Sequence, residues 1–275
     1  MPRITVVQMN PGSSKADNIA QASRLIDSAA TEDRPDLVTL PEMWSCLGGD
    51  RATKLAEAEA LPPEPTGTAY RFLQDIARRH KILVHGGSIG ERAGEKLFNT
   101  SLLLGADGSE LARYRKIHLF DIVTPSGEGY RESSLFGAGT SVAVAVTPTA
   151  RFGLSICYDL RFPELYLALR KQGADVIFVP SAFTAETGRD HWEVLLRARA
   201  IETQCWIVAA ATTGTHHDPR GRPRATWGHS LIVDPWGHIT AALHAAPGHA
   251  TATLDFAQLA SVREKMPVLQ HRRLA

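Results

Sequence analysis

The chain has 275 residues, 44% of them hydrophobic and 21% charged, with a formal net charge of +1 at neutral pH. That is long enough for a sizeable core, and no excess of either sign directs it to nucleic acid or an anionic membrane. Three widely spaced cysteines, Cys46, Cys157 and Cys205, form no CxxC pair, which argues against a disulfide framework or thiolate metal site and fits a reducing cytoplasm.

Strand and helix signals alternate along the whole sequence. RITVVQM (3–9) reads as a strand straight from the N-terminus, with no signal-peptide pattern before it, and no run approaches eighteen apolar residues. Residues 16–29 have the period of an amphipathic helix, DLVTLPE (36–42) of a strand, and 68–80 of a second helix. ILVHGGS (82–88) and LFNTSLLL (97–104) are strands, and the GADG turn at 105–108 makes 97–117 a hairpin. SVAVAV (141–146) and FGLSIC (152–157) flank another turn. A helix over 163–172, the strand ADVIFVP (174–180), a helix over 189–205 and the strand WIVAAAT (206–212) follow. SLIVDPWGHITAAL (230–243) is a hairpin turning at Pro235–Gly237, and TATLD (251–255) precedes a short helix.

With no repeat, linker or composition break, residues 1–275 are expected to form a single α/β domain. The strands are too numerous for one tidy sheet, which favours two stacked sheets with helices outside. In the 189–205 helix, Val194, Ala198, Ile201 and Cys205 make one apolar stripe, while Trp192, Leu195 and Leu196 point elsewhere. A helix apolar on two sides buries two sides, one on the sheet and the other against a second copy of the chain.

Three reactive residues close apolar strand patterns: Glu42 after DLVTLP, Lys116 after ELARYR and Cys157 after FGLSI. Each alone is unremarkable, because strand-end acids and lysines are usually solvated and lone cysteines usually pack. Together they make a complete nucleophilic set. A thiol needs a base or a nearby cation to react at neutral pH, Glu42 can serve as the base, and Lys116 can stabilise a thiolate or an oxyanion. The Tyr158 N–H, next along the chain, can supply a second oxyanion donor. A Cys/His hydrolase, using one of the eleven histidines, is an alternative with the same nucleophile.

TLPEMW, YRKIHLFD and SICYDLRFPEL, in that order, resemble the carbon–nitrogen hydrolases of the nitrilase superfamily. The resemblance implies a four-layer α-β-β-α sandwich and a Glu–Lys–Cys triad, with Glu42 as general base, Lys116 as oxyanion and proton donor, and Cys157 as nucleophile. It also implies a second glutamate after the lysine strand. Glu128 and Glu132 stand there, and ESSLFGAG favours Glu132. The Cys-Tyr-Asp-Leu-Arg-Phe-Pro-Glu run and the downstream sequence are most similar to the amidase branch that contains deaminated-glutathione amidase and ω-amidase.

On that resemblance the substrate is a small linear amide, most similar to deaminated glutathione, with α-ketoglutaramate as the rival. Tyr158, Arg161, Phe183 and Thr187 are the expected substrate-binding residues, and Arg161 or the basic stretch 216–224 is expected to meet a carboxylate. The loop carrying that stretch is longer and more basic than the resemblance leads one to expect. No metal or organic cofactor is implied, because no His/Asp/Cys cluster has ligand spacing. A homodimer or higher homo-oligomer is expected. A non-catalytic scaffold would have no reason to keep all three reactive residues.

Overall fold

The computed structural model describes residues 1–217 and 223–274. From the N-terminus these form β1 (Arg3–Gln8), α1 (Lys15–Glu32), β2 (Leu37–Thr39), α2 (Arg51–Glu57) and α3 (Thr68–His80). Next come β3 (Leu83–Ala93), β4 (Lys96–Leu104), β5 (Glu110–Arg115) and a small hairpin of β6 (Asp121–Val123) and β7 (Gly129–Arg131). Then follow β8 (Val144–Val146), β9 (Arg151–Leu154), α4 (Pro163–Lys171), β10 (Val176–Phe178), α5 (Ala185–Thr203) and β11 (Trp206–Ala209). β12 (Thr213–His216) pairs with β13 (Arg224–Trp227), and after them run β14 (Leu231–Val233), β15 (Ile239–Ala242) and β16 (Gly248–Thr253). The helices α6 (Phe256–Lys265) and α7 (Val268–His271) come last.

Two six-stranded sheets result, ordered β16-β1-β2-β3-β4-β5 and β15-β14-β11-β10-β9-β8. Each has a parallel centre, β1-β2-β3 in one and β9-β10-β11 in the other, extended by antiparallel neighbours. The side-chain alternation of the strands explains the layering. Ile4, Val6, Leu37 and Leu103 of the first sheet share one core with Phe152, Val176, Phe178, Trp206, Val208 and Ile232 of the second. The alternate residues Val7, Val38, Leu102 and Leu104 pack with Ile26, Leu73 and Ile76 of α1 and α3. On the far side, Leu154, Ile177, Ile207 and Val233 pack with Leu165, Leu169, Trp192 and Leu196 of α4 and α5. Both faces of the central strands are therefore dry, and they read as unbroken apolar runs for that reason. This is an α-β-β-α sandwich.

Boundaries moved where caps overrode periodicity. The Thr184 hydroxyl accepts from Thr187 N (3.3 Å), so α5 starts at Ala185 rather than 189. It ends at Thr203 with Gln204 in the left-handed region (φ 51°). Cys205 consequently lies outside the helix, fully buried, with its sulfur 3.1 Å from the Ala174 carbonyl oxygen. Val194 and Ile201 remain on the helix surface, 67% and 45% exposed. The short α2, β6–β7 and β12–β13 elements lacked a sequence period and were not expected.

Candidate active site

The three reactive residues sit just beyond their strands, on turns fixed by the backbone. β2 stops at Thr39, and the turn carrying Glu42 is moulded by an irregularity in β3 between His85 and Ser88. There Ser88 N donates to the Pro41 carbonyl (3.1 Å), and the Ser88 hydroxyl accepts from Met43 N (3.0 Å). Gly87 has φ +56°, and a Cβ on it would lie 2.1 Å from the Pro41 oxygen, so only glycine fits. Lys116 directly follows β5, and its N–H still pairs with the Asn99 carbonyl of β4 (2.9 Å). Cys157 opens a 3-10 turn, Cys157–Arg161, two residues after β9 has ended, and it has φ +48°. For a residue with a Cβ this conformation costs about 1 kcal/mol or more, and it turns the thiol out of the strand. A 2.9 Å bond from Cys157 N to the Pro180 carbonyl holds it there.

These turns bring the side chains together. Lys116 Nζ donates to Glu42 Oε1 (2.9 Å) and to Glu132 Oε2 (2.8 Å). Asn99 Nδ2 bridges the same two carboxylates at 2.9 and 3.1 Å. Glu42 Oε2 accepts from Ala182 N (2.8 Å), and the Cys157 thiol lies close enough to the Glu42 carboxylate to help lower its pKa. Glu132 is fixed further by Phe120 N (2.7 Å). Glu128 is exposed on the β6–β7 hairpin and does not line the cavity.

The electrostatics give each group a definite state. Burial works to raise the Glu42 pKa, but the Lys116 charge and hydrogen bond and the nearby thiol outweigh it, so the carboxyl lies below its usual value. Burial, reinforced by the Glu42 charge, pushes the Cys157 thiol well up. Burial alone would lower Lys116, but Glu132 and Glu42 hold it firmly cationic. The resting arrangement is thus a neutral thiol near an ionised carboxylate and a fixed ammonium. Such a set can move a proton from sulfur to Glu42 as the sulfur attacks, with the positive charge already in place.

The set opens into a cavity of 280 Å³. Tyr158, Phe183 and Thr187 line it, as do Phe120, Tyr130 and Arg224. Among the described residues no histidine lines it, which leaves the Cys/His alternative without a base. Arg161 is not brought into the cavity. Its guanidinium lies over the Tyr158 and Phe183 rings (5.9 and 5.5 Å), 3.3 Å from His191 Nδ1. Of the 216–224 stretch, residues 218–222, with Arg220 and Arg222, lie outside the described residues; His216 is buried against Pro11 and Thr226. Among the described residues no group of three or more His, Cys, Asp or Glu side chains is arranged to hold a metal ion, and no helix is long and apolar enough to cross a membrane.

Residues 3–264 match the family described as carbon-nitrogen hydrolase. The chain belongs to the carbon–nitrogen hydrolases. It is 45% identical over 271 residues to the deaminated glutathione amidase of Synechocystis sp., covering 97% of this chain and 96% of that one. The Homo sapiens deaminated glutathione amidase is 39% identical over 279 residues, 99% of this chain and 83% of the other. Among solved structures, Saccharomyces cerevisiae Nit3, a member of branch 10 of the nitrilase superfamily, superposes with a TM-score of 0.88 at 30% identity, covering 99% and 97% of the two chains. The chain is an amidase of the nitrilase superfamily.

Two features of this hydrolase were missed from sequence. Asn99 stands in LFNTSLLL, where an asparagine in an apolar strand was itself a signal. Asp159, fully buried, ties the Lys116 side of the site to the Cys157 turn. It accepts from Tyr114 Oη (2.7 Å), Ile156 N (2.9 Å), His118 N (3.1 Å) and His118 Nδ1 (2.7 Å), and the His118 ring stacks on Phe162 at 3.7 Å. Nothing in the local sequence separates such an acid from a solvated one in a turn.

Proposed function

We propose that this amidase works through a thioester on Cys157. The observation that carries the reading is Lys116, held between Glu42 and Glu132 where the Glu42 carboxylate and the Cys157 thiol face the same cavity. Glu42 takes the thiol proton as sulfur bonds to the amide carbon. The carbonyl oxygen becomes an oxyanion that meets the Lys116 ammonium and the Tyr158 N–H, which lies in the first turn of a 3-10 segment where N–H groups have no acceptor within the helix. Collapse breaks the carbon–nitrogen bond, and the proton on Glu42 leaves with the amine. Water then gives a proton to Glu42 and adds to the thioester, releasing acid and thiol. Glu132 positions Lys116. Phe183 and Thr187 shape the wall beside the reacting carbonyl.

The substrate proposed is deaminated glutathione, cleaved to α-ketoglutarate and Cys-Gly. The names of the relatives and the cations around the cavity, Arg51, Arg131 and Arg224, support it. The test is release of α-ketoglutarate from deaminated glutathione and from α-ketoglutaramate, with Cys157→Ala as blank. A kcat/KM at least about tenfold higher for the tripeptide analogue is expected, and the reverse order would make the protein an ω-amidase instead. No turnover of either above the blank would refute the substrate.

The exposed Val194 and Ile201 on α5, with Trp236 (52% exposed) next to the Gly237 that meets Ile201, are the proposed self-association face. Asp at both helix positions is expected to reduce the sedimenting mass. Three free cysteines suit a reducing, cytoplasmic setting.

A further inference from the structure

Arg224 opens β13 and reaches into the cavity wall. Its Nη2 donates to the Ala182 carbonyl (2.7 Å), and its guanidinium lies 5.2 Å from the Tyr130 ring centroid. Among the described residues its buried Nε has no hydrogen-bond partner, and no carboxylate pairs with it. A guanidinium carries five N–H donors, and leaving one of them dry and unmet is costly unless something else supplies the acceptor. An unmet Nε–H on a planar cation matches a carboxylate oxygen.

Its position matters as much as its charge. Ala182 donates its N–H to Glu42 Oε2 at 2.8 Å and receives Arg224 on its carbonyl, so the cation stands one residue from the general base proposed above. The other arginines are placed differently. Arg161 lies behind the aromatic wall, and Arg51 spends Nη1 on the Ser134 carbonyl (2.5 Å) at the exposed rim. Arg131 is exposed at the mouth, where water and salt screen it.

We propose that Arg224 is the specificity-determining residue for the acyl half of the substrate and binds a carboxylate at the far end of a short acyl chain whose amide carbon meets Cys157. The assignment rests on the amidase reading of the cavity. It fixes the acyl half as that of a monoamide of a short dicarboxylic acid and leaves the choice among leaving amines to the mouth of the cavity.

The test compares two substrates with the same Cys-Gly leaving half, the 2-oxoglutaryl amide (deaminated glutathione) and the 4-oxopentanoyl amide, in which a methyl group replaces the carboxylate. Wild-type enzyme is expected to prefer the first. In Arg224→Gln the ratio of the two kcat/KM values should fall by about 10²-fold, the scale of lost hydrogen bonds to a charged group. Arg224→Lys keeps the charge and a donor for Ala182 but not the fork, and should lose about tenfold in the same ratio. A ratio unaltered in both variants, or activities falling equally on both substrates, overturns the assignment and makes Arg224 a brace for the Ala182 peptide. Wild-type enzyme without any preference for the carboxylated amide overturns the substrate reading as well, which separates the two failures.

Discussion

Tyr114 of β5 donates its hydroxyl to Asp159, two residues beyond Cys157, across 2.7 Å. The bond joins the strand that delivers Lys116 in the first sheet to the turn that delivers Cys157 in the second. The position of the ammonium relative to the thiol therefore depends on how the sheets are docked. Tyr114→Phe should cost about 1.5–3 kcal/mol, the range for a hydrogen bond to a charged acceptor, and lower kcat about tenfold. Asp159→Ala, which strands four donors, should cost more and lose most activity. Urea denaturation beside steady-state kinetics checks both. Wild-type kcat in Tyr114→Phe would show that the registration is set elsewhere.

Lys116→Met leaves Glu42 and Glu132 facing one another without a cation. The variant should lose at least about 10²–10³-fold in kcat, the scale for one oxyanion donor, and unfold at lower temperature. It should also raise the Glu42 pKa, since Lys116 supplies the largest force holding that carboxyl down. A variant active within tenfold of wild type would remove Lys116 from the chemistry.

Acid should unfold the protein before it silences the base. Burial depresses His85 to about 3 and His216 to about 4. Both are below the unfolded value near 6.5, so their stability contribution is complete above pH 6.5 and is lost as pH falls toward those values, at ~1.4 kcal/mol per unit each. Glu42, also depressed, contributes above its unfolded value near 4.5 and loses that only below it. Tm should thus fall steadily from pH 6.5 to 4.5 while the kcat of still-folded enzyme holds. His85→Asn should flatten the slope, and an unchanged slope would show that His85 is not the group being protonated.

Gly87→Ala would force a Cβ against the Pro41 oxygen in a left-handed conformation. A loss of about 3 kcal/mol or more is expected. The displaced turn carries Glu42, so kcat in the surviving folded fraction should fall too. Calorimetry and active-site titration by alkylation distinguish the two effects.

The fold was legible because it is written in local periodicity. Runs such as VIF at 176–178 are apolar on both faces because a sheet lies on one side and helices on the other. The helix over 189–205 was legible too, but its bounds were not, because Thr184 and Gln204 fix the ends by capping and backbone handedness. The α2 helix and the β6–β7 and β12–β13 hairpins are too short to carry a period, and tertiary contact makes them.

By itself the sequence determined the layers and put Glu42, Lys116 and Cys157 at the ends of apolar strands, which in the structure stop one to three residues earlier, as alternation and turn chemistry act over a few residues. Which acid meets the thiol was decided by the tertiary structure. Glu42, Glu59 and Glu91 are all nearly fully buried. Glu59 instead accepts from the first N–H groups of α3 and pairs with Lys15 (2.8 Å), and Glu91 pairs with Arg115 (2.6 Å). Likewise Arg161 and Arg224 look alike in sequence, yet one lies behind the aromatic wall and the other in the cavity. Glu42 lies 74 residues from Lys116 and 140 from Ala182, and only the pairing and stacking of two sheets closes such separations.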